Sequence, residues 1–199
     1  MRKCLEPWSF TNGGVNQYPK APAHAERFRA LVDLLMTAAI PTVDESRWLA
    51  LCESKGRESP DSRTKVGCVI VGPDRIVRSE TCNNYPIGIR EGSPERTEAP
   101  LKYIWIEHAE RNAIYLTAKR GASTDGCTMI VELTPCVDCA KAIIQARLVD
   151  VVINYDRSAE YRGAHYSGQH STALSMLAEA AVAVRFVSPK LAARDRIEP

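Results

Sequence analysis

The chain has 199 residues, a length typical of a single domain with room for a hydrophobic core. Hydrophobic residues make up 45% and charged residues 25%, a composition typical of a soluble globular protein. The formal net charge of +2 is too small to indicate nucleic-acid binding by itself, and no run of 18 apolar residues predicts a membrane span.

The use of cysteine predicts a reducing compartment. The seven cysteines are odd in number, and two of them form a Cys-x-x-Cys pair beside a predicted helix. This pattern favours metal ligation in the cytosol over a disulfide framework. The N-terminal stretch MRKCLEPWSFTNGG has two basic residues but no apolar region after them, so we do not expect a secretory signal. We therefore predict a cytoplasmic protein.

Residues 1–43 are predicted to extend a main domain that spans 44–199. Residues 1–22 contain Gly and Pro without periodicity, which indicates an irregular arm. Residues 23–40 have the periodicity of a helix that ends at Pro41. Its apolar stripe consists of Phe28, Leu31, Val32, Leu35 and Ala39. Such a stripe is typical of packing against the domain or a neighbouring subunit, with a regulatory or partner-binding arm as the alternative.

The main domain is predicted to alternate between helices and strands. Asp44 is the predicted cap of its first helix. The predicted elements are helix 45–57, hairpin strands 66–71 and 75–78, a long loop 82–101, helix 108–120, strand 127–133, helix 136–146, strand 149–153, helix 169–181 and strand 182–187. From residue 127 onward this alternation is typical of parallel βαβ crossovers.

Three residues in the middle of the chain form a candidate metal site. His108 lies in the stretch HAERNA, and Cys136 and Cys139 lie in PCVDC. One imidazole and two thiolates favour zinc, and three protein ligands leave the fourth position of a catalytic zinc site for water. Glu110, two residues after the histidine, is the candidate acid and base for the protons of that water.

The spacing of these residues suits this chemistry. The i, i+3 spacing places Cys136 and Cys139 on one face of a helix, and the first turn of a helix lowers thiol pKa values. Zinc lowers the pKa of a bound water to about 7. Glu110 would take a proton from this water and pass it to the substrate. A metal-stabilised fold without catalysis would need neither an open position nor Glu110.

These motifs resemble those of the zinc-dependent cytidine deaminase superfamily, and within it the deoxycytidylate (dCMP) deaminase branch. The resemblance covers roughly residues 44–187 and rests on the stretches SPDSRTKVGCVIV (59–71), CNNYPIG (82–88), HAERNAI (108–114) and TPCVDCAKAI (134–143). It implies a three-layer α/β/α fold around a five-stranded mixed sheet whose final pair of strands is parallel. It also implies the conversion of dCMP to dUMP and ammonia.

The resemblance assigns roles at the metal and at the substrate. It makes His108, Cys136, Cys139 and Glu110 the three ligands and the proton shuttle of one zinc ion per chain, with a water or hydroxide as fourth ligand. On the substrate side, the residues it assigns are Asn83 at the sugar, the main chain of Ala109 and Thr134 at the pyrimidine, and Arg63 near the phosphate. Tyr155 follows the fourth predicted strand and is either a pocket wall or a core aromatic.

Some positions depart from the family pattern. The family usually has Gly at Asn84 and often Arg at Ile87, so contacts from this loop are expected to differ. Residues 83–107 contain neither His nor Cys, so we predict one zinc ion and no second, structural one. His165 and His170 follow the strand 149–153, close to where nucleotide sites open in such sheets, and a surface role is favoured for both over a role in the site.

Several functional alternatives stay open at this point. A tRNA adenosine deaminase shares the two motifs but would need a basic groove, which the near-neutral charge does not favour. A deaminase of a modified cytosine nucleotide and a non-catalytic zinc-stabilised interaction domain are the others. We expect a small pyrimidine nucleotide as substrate, a homo-oligomer (dimer or hexamer) as in relatives, and neither a membrane nor a nucleic acid as partner.

Overall fold

The computed structural model describes residues 38–90, 94–160 and 167–194. The strands in these ranges are β1 (Gly67–Val71), β2 (Val77–Cys82), β3 (Thr128–Val131), β4 (Asp150–Asn154) and β5 (Ala183–Val187). The helices are α1 (Val43–Arg57), α2 (Pro94–Thr97), α3 (Lys102–Trp105), α4 (Ala109–Lys119), α5 (Val137–Gln145), α6 (Tyr155–Glu160), α7 (Ser167–Glu179) and α8 (Pro189–Arg194). None of the helices described has the length and apolar character needed to cross a membrane.

The five strands form one mixed sheet in the order β2-β1-β3-β4-β5. Strand β1 pairs antiparallel with both β2 and β3, whereas β3, β4 and β5 run parallel to one another. The connections from β3 to β4 and from β4 to β5 pass through helices, as parallel strands require. The predicted five-stranded mixed sheet with a parallel final pair is confirmed.

Side chains of the sheet alternate between two hydrophobic cores, which defines the three layers. Cys68 and Ile70 of β1 belong to the larger core, together with apolar residues of α4, α5 and α7. Val69 and Val71 belong to the smaller core beneath α1, with Leu49 as a buried helical contact. Because successive strand residues point to opposite faces, α1 covers one side of the sheet and the other helices cover the opposite side.

Helix α1 begins two residues earlier than predicted because Thr42, not Asp44, caps it. The Thr42 hydroxyl accepts the Glu45 N–H, and the Glu45 carboxylate accepts the Thr42 N–H at 2.8 Å. This reciprocal arrangement is a capping box, which satisfies two otherwise unpaired N–H groups. The prediction of a helix through Arg57 is confirmed.

The hairpin after β1 differs from its prediction. Arg75 has a φ of 65° and its N–H donates to the Gly72 carbonyl, so residues 72–76 form the turn and β2 begins only at Val77. The strand then continues to Cys82, four residues beyond its predicted end. The sequence signal for a turn at Gly72-Pro73-Asp74 was correct, but the turn is longer than three residues.

The segment before β1 and the long loop also depart from expectation. Ala39 forms a parallel bridge with Val187 instead of lying in a helix, so the prediction of helix up to residue 40 is wrong there. The rest of that predicted helix lies outside the described residues, as does His165. Within the predicted loop 82–101, α2 is an ordered turn of helix, and the bridge between Asn84 and Glu107 ties the loop to the approach to α4. The short helices α6 and α8 were not predicted.

Candidate active site

The three candidate ligands meet where two helices begin. His108 is the N-cap residue of α4 and Cys136 is the N-cap residue of α5, both with extended backbone conformations, and Cys139 lies in the first turn of α5. The His108 Nδ1 atom lies 3.5 Å from each of the two Sγ atoms. The three donor atoms all lie within 4.8 Å of one another. The sequence prediction that these residues form one cluster is confirmed.

The distances fit a tetrahedral zinc ion. Bonds of about 2.3 Å to sulfur and about 2.0 Å to nitrogen at a tetrahedral angle separate the two kinds of donor by about 3.5 Å, which is the separation between Nδ1 and each sulfur. A hydrogen bond from the Cys139 thiol, together with His108, lowers the pKa of Cys136 to about 3. The same contact and burial raise the pKa of Cys139. A cation between the two sulfurs would favour a second thiolate at Cys139.

An ion pair supports the start of α4. The Glu107 carboxylate accepts the His108 N–H at 2.9 Å and the Arg111 Nε–H at 2.6 Å. Burial alone would lower the pKa of Arg111, but Glu107 and the thiolate charges of Cys139 and Cys136 raise it. Arg111 therefore remains charged beside the metal ligands, where it offsets part of the negative charge of the sulfurs.

Glu110 is a buried carboxyl group in the same pocket. Only 4% of the residue is exposed, and it lines the pocket together with His108 and Cys136. Burial raises the pKa of Glu110, although His108 acts in the opposite direction. A raised pKa makes the carboxylate a stronger base, which suits a group that accepts a proton and returns it.

The pocket brings together most of the predicted site residues. Its wall consists of Asp61, Thr64, Val66, Asn83, Lys102, Tyr103, Ile106, His108, Ala109, Glu110, Leu133, Thr134, Cys136 and His170. Cys139 lies behind this wall and is fully buried. Arg63 and Tyr155 are not among the described residues that line the pocket. Arg63 is exposed on the adjoining turn, and Tyr155 packs against the larger core.

Two of the predicted substrate contacts already have partners within the chain. The Asn83 side-chain amide is held by the backbone of Thr64 and Val66. The Thr134 N–H donates to the Ser158 hydroxyl at 3.0 Å. Both residues still line the pocket, so their predicted roles at the sugar and the pyrimidine stay predictions.

Asp61, Lys102 and His170 are among the residues of the pocket wall that were not predicted to lie there. Asp61 and Lys102 form a buried ion pair between segments that are far apart in the sequence. The interpretation of His170 as a surface residue is wrong, since it is half-buried in the pocket wall and burial lowers its pKa. A signal was available for His170, because it lies at i−3 and i−4 from Ala173 and Leu174 on the buried stripe of α7.

Comparisons with known proteins agree with this site. Residues 42–155, more than half of the chain, match the family model of the cytidine and deoxycytidylate deaminase zinc-binding region. The deoxycytidylate deaminase of Mus musculus is 32% identical over 149 residues, which are 72% of this chain and 79% of the mouse protein. The probable deoxycytidylate deaminase of Caenorhabditis elegans is 36% identical over 108 residues, and that match spans 53% of this chain and about half, 54%, of the nematode protein.

A solved structure shares the fold. The dCMP deaminase of cyanophage S-TIM5, in complex with dCMP and dUMP, superimposes with a TM-score of 0.59 over 75% of this chain and 100% of that one. At 22% sequence identity this likeness shows the common architecture alone. With the family model matched across the metal cluster and the mouse protein matched over most of both chains, the chain belongs to the cytidine and deoxycytidylate deaminase family and is a zinc-binding protein.

Proposed function

We propose that the chain is a zinc-dependent deaminase that hydrolyses dCMP to dUMP and ammonia. The observation that carries this proposal is the buried Glu110 carboxyl beside a cluster of three zinc ligands, in a pocket bordered by apolar side chains. Membership in the family and the names of the curated relatives support dCMP as the substrate.

The geometry supports a division of labour among the residues of the pocket. His108, Cys136 and Cys139 would hold the zinc ion. When bound, zinc supplies a water molecule acidic enough to act as a nucleophile at neutral pH. Glu110 would accept a proton from the attacking water, deliver it to the ring nitrogen N3 of cytosine and donate a proton to the departing amine. One water molecule is consumed, the C4–N bond breaks, and ammonia leaves as the carbonyl of uracil forms.

The remaining pocket residues suit a flat ring attached to a polar sugar. Val66, Ile106 and Leu133 provide apolar walls that exclude bulk water from the reacting carbon. The Asn83 amide lies in the same wall and is the candidate contact for the sugar. Arg63, exposed on the adjoining turn, is the candidate contact for the phosphate, which lies outside the apolar part of the pocket. We further propose that the protein works as a homo-oligomer in the cytosol, with residues 1–43 as an extension of the deaminase domain.

The proposal is tested by measuring ammonia release from dCMP, CMP, deoxycytidine and dCTP side by side, with the zinc content of the protein determined in parallel. We expect one zinc ion per chain, a value of kcat/KM for dCMP at least tenfold above that for the other three, and loss of activity after chelation that zinc restores. A preparation with one zinc ion per chain that releases ammonia from none of the four would contradict the substrate assignment. Salt-sensitive binding of tRNA by the same preparation would then favour an adenosine deaminase of tRNA.

A further inference from the structure

An ion pair between Asp61 and Lys102 lies in the wall of the pocket and is almost completely buried. The Lys102 Nζ atom lies 3.0 Å from Oδ1 and 2.9 Å from Oδ2 of Asp61. The exposed fractions of the two side chains are 4% for Lys102 and 6% for Asp61. Both residues line the pocket that contains Glu110, His108 and Cys136, although neither belongs to the cluster of candidate zinc ligands.

Stability alone is a poor explanation for this pair. Removing two charges from water costs several kcal/mol per ion, and apolar residues of similar volume often stabilise a fold equally well or better. The chain nevertheless has a lysine on the short helix α3 and an aspartate on the distant turn before β1, 41 residues apart. A buried charged pair at the edge of a substrate pocket therefore suggests a role in substrate binding or catalysis.

The Asp61 carboxylate also fixes the backbone of its own turn. Its Oδ1 atom accepts the Arg63 N–H at 2.8 Å and the Thr64 N–H at 3.0 Å, in addition to the ammonium group of Lys102. A carboxylate that accepts two backbone N–H groups closes a tight turn. Movement of Asp61 would therefore move residues 63–66 as well.

This turn in turn fixes the side-chain amide of Asn83. The Val66 N–H donates to Asn83 Oδ1 at 2.9 Å, and Asn83 Nδ2 donates to the Thr64 carbonyl at 2.8 Å. The Asn83 N–H also donates to the Val66 carbonyl at 3.0 Å. The amide is thus locked in one orientation, while one N–H of Nδ2 and one lone pair of Oδ1 stay available to a ligand.

Backbone hydrogen bonds also connect the segment that contains Asn83 to α3 and the residues that follow it. Asn84 and Glu107 exchange two backbone hydrogen bonds, at 3.1 and 2.8 Å. The Ile106 N–H donates to the Lys102 carbonyl at 2.9 Å, which links that bridge to α3. We call the three connected segments, residues 61–66, 83–84 and 102–107, the pocket ring. The ion pair joins the first segment of this ring to the last.

We propose that Lys102 is a positioning residue for substrate binding: through Asp61 it holds the turn at 61–66, and through that turn it holds the Asn83 amide in the orientation that binds the sugar hydroxyl of a pyrimidine nucleotide. This inference rests on the function proposed above for the same pocket. Lys102 does not take part in the chemical step, because the proton transfers belong to Glu110 on α4.

A cycle of variants tests whether Lys102 acts through Asn83. We expect Lys102→Met to raise KM for dCMP at least tenfold and to change kcat less than about threefold, because binding and not chemistry is affected. In an Asn83→Ala background, Lys102→Met should raise KM less than about twofold further. Lys190→Met is the matched control, since it breaks an exposed ion pair with Glu160 and should leave KM unchanged.

Hydrogen exchange of the backbone amides gives a second readout that does not depend on catalysis. In the zinc-loaded protein without substrate, Lys102→Met should accelerate exchange of the Val66 amide at least tenfold relative to the amides of β3, whereas Lys190→Met should not. The ratio to β3 removes any effect of global destabilisation. Faster exchange in a protein that does not deaminate dCMP would support the positioning role and contradict the proposed function.

Two outcomes would overturn the positioning role. The first is an unchanged ratio of exchange rates in Lys102→Met, which would mean that the turn is held without the ion pair. The second is a full tenfold increase in KM on top of Asn83→Ala, which would mean that Lys102 acts independently of Asn83. A purely structural role would lower the melting temperature and change neither the exchange ratio nor the KM.

Discussion

At the scale of single residues, the start of α4 brings both a candidate metal ligand, His108, and the Glu110 carboxyl group to one pocket. The backbone at His108 starts α4 with a metal ligand, and the first turn carries the carboxyl group into the same pocket. Because Glu110 is buried, its pKa is raised, and its protonation state is sensitive to the charge of the ligands around it. This position suits the proton transfer that we propose for Glu110, and it is unfavourable for the stability of the fold.

The variant Glu110→Gln should separate the effect of this carboxyl group on catalysis from its effect on stability. We expect kcat for dCMP to fall by about 10²- to 10⁴-fold, because the amide cannot transfer protons, while the zinc content stays at one ion per chain. The melting temperature should be unchanged or higher, since a buried carboxyl is replaced by a neutral group of the same shape. Glu179→Gln, on the exposed end of α7, is the matched control. Ammonia release at the wild-type rate from Glu110→Gln would rule out the mechanism.

At the scale of elements, the close approach of α1 to β1 depends on two glycines. A Cβ atom on Gly67 would overlap the Cys52 carbonyl oxygen and would lie 2.9 Å from the Gly56 nitrogen. The Gly67 N–H donates at 2.6 Å to the buried Glu132 carboxylate, which is packed against Gly56. The helix can thus lie directly on the strand, and this contact sets the position of the turn that follows α1 and leads to Asp61.

We expect Gly67→Ala to destabilise the protein by about 3 kcal/mol or more, because backbone atoms of α1 would have to move. Gly121→Ala is a useful comparison. Gly121 has a φ of +70°, but no atom lies within 4 Å of the place that a Cβ methyl group would occupy, so the substitution should cost only about 1–2 kcal/mol of backbone strain. Urea unfolding of the zinc-loaded proteins measures both. A loss of stability in Gly67→Ala no larger than that in Gly121→Ala would contradict the predicted overlap with α1.

At the scale of the whole molecule, Arg185 connects the layers. Its guanidinium on β5 contacts Glu45 of α1 and donates to Asp150 of β4 at 2.6 Å. Burial alone would raise the pKa of Glu45, but hydrogen bonds from the Thr42 N–H and from Arg185 hold it below its ordinary value. A carboxyl group with a lowered pKa stabilises the fold above its unfolded-state pKa, and this contribution is lost as the pH falls through its folded-state pKa.

The free energy of unfolding of the variant Glu45→Gln should therefore differ from that of the wild type by an amount that depends on pH. At pH 7 we expect the free energy of unfolding to fall by about 0.5–1 kcal/mol, modest because Arg185 is partly exposed to solvent. The difference should begin to shrink as the pH falls below the unfolded-state pKa of about 4.3, and it should vanish once the pH has passed through the lower folded-state pKa. Gln can still serve in the capping box, so the variant isolates the charge. We expect both proteins to lose zinc alike in acid, so that this loss cancels in the difference. Glu53→Gln, an exposed partner of Arg57, is the control, and a difference at pH 7 that persisted in acid would contradict the assignment to charge.

The sequence predicted the zinc cluster because its determinants are local. His108 and Glu110 are two residues apart, and Cys136 and Cys139 are one helical turn apart, so their spacing alone places each pair on one face. The alternation of elements from residue 127 likewise predicted the parallel strands, since short connections leave few other topologies. These parts of the fold follow from patterns within single elements.

Other parts of the site could not be predicted because their contacts join distant segments. Nothing in the neighbourhood of Lys102 distinguishes it from a surface lysine, and only the fold brings Asp61 to it. The extended pairing of Ala39 with β5 prevailed over the helical pattern of the preceding residues, because a strand edge offers hydrogen bonds that local propensity cannot reveal. The position of His170, in contrast, could have been predicted from its spacing to the buried stripe of α7.

The bridge at Ala39 has a consequence for solubility. Strand β5 is an outer strand of the sheet, and the Ala39 N–H donates to the Phe186 carbonyl while the Ser188 N–H donates to the Ala39 carbonyl, both at 2.9 Å. One residue thus occupies the hydrogen-bonding groups at the end of an edge that could otherwise pair with another molecule. A shortened protein that began at α1 would leave the Phe186 carbonyl and the Ser188 N–H without these partners, and we expect it to self-associate more readily.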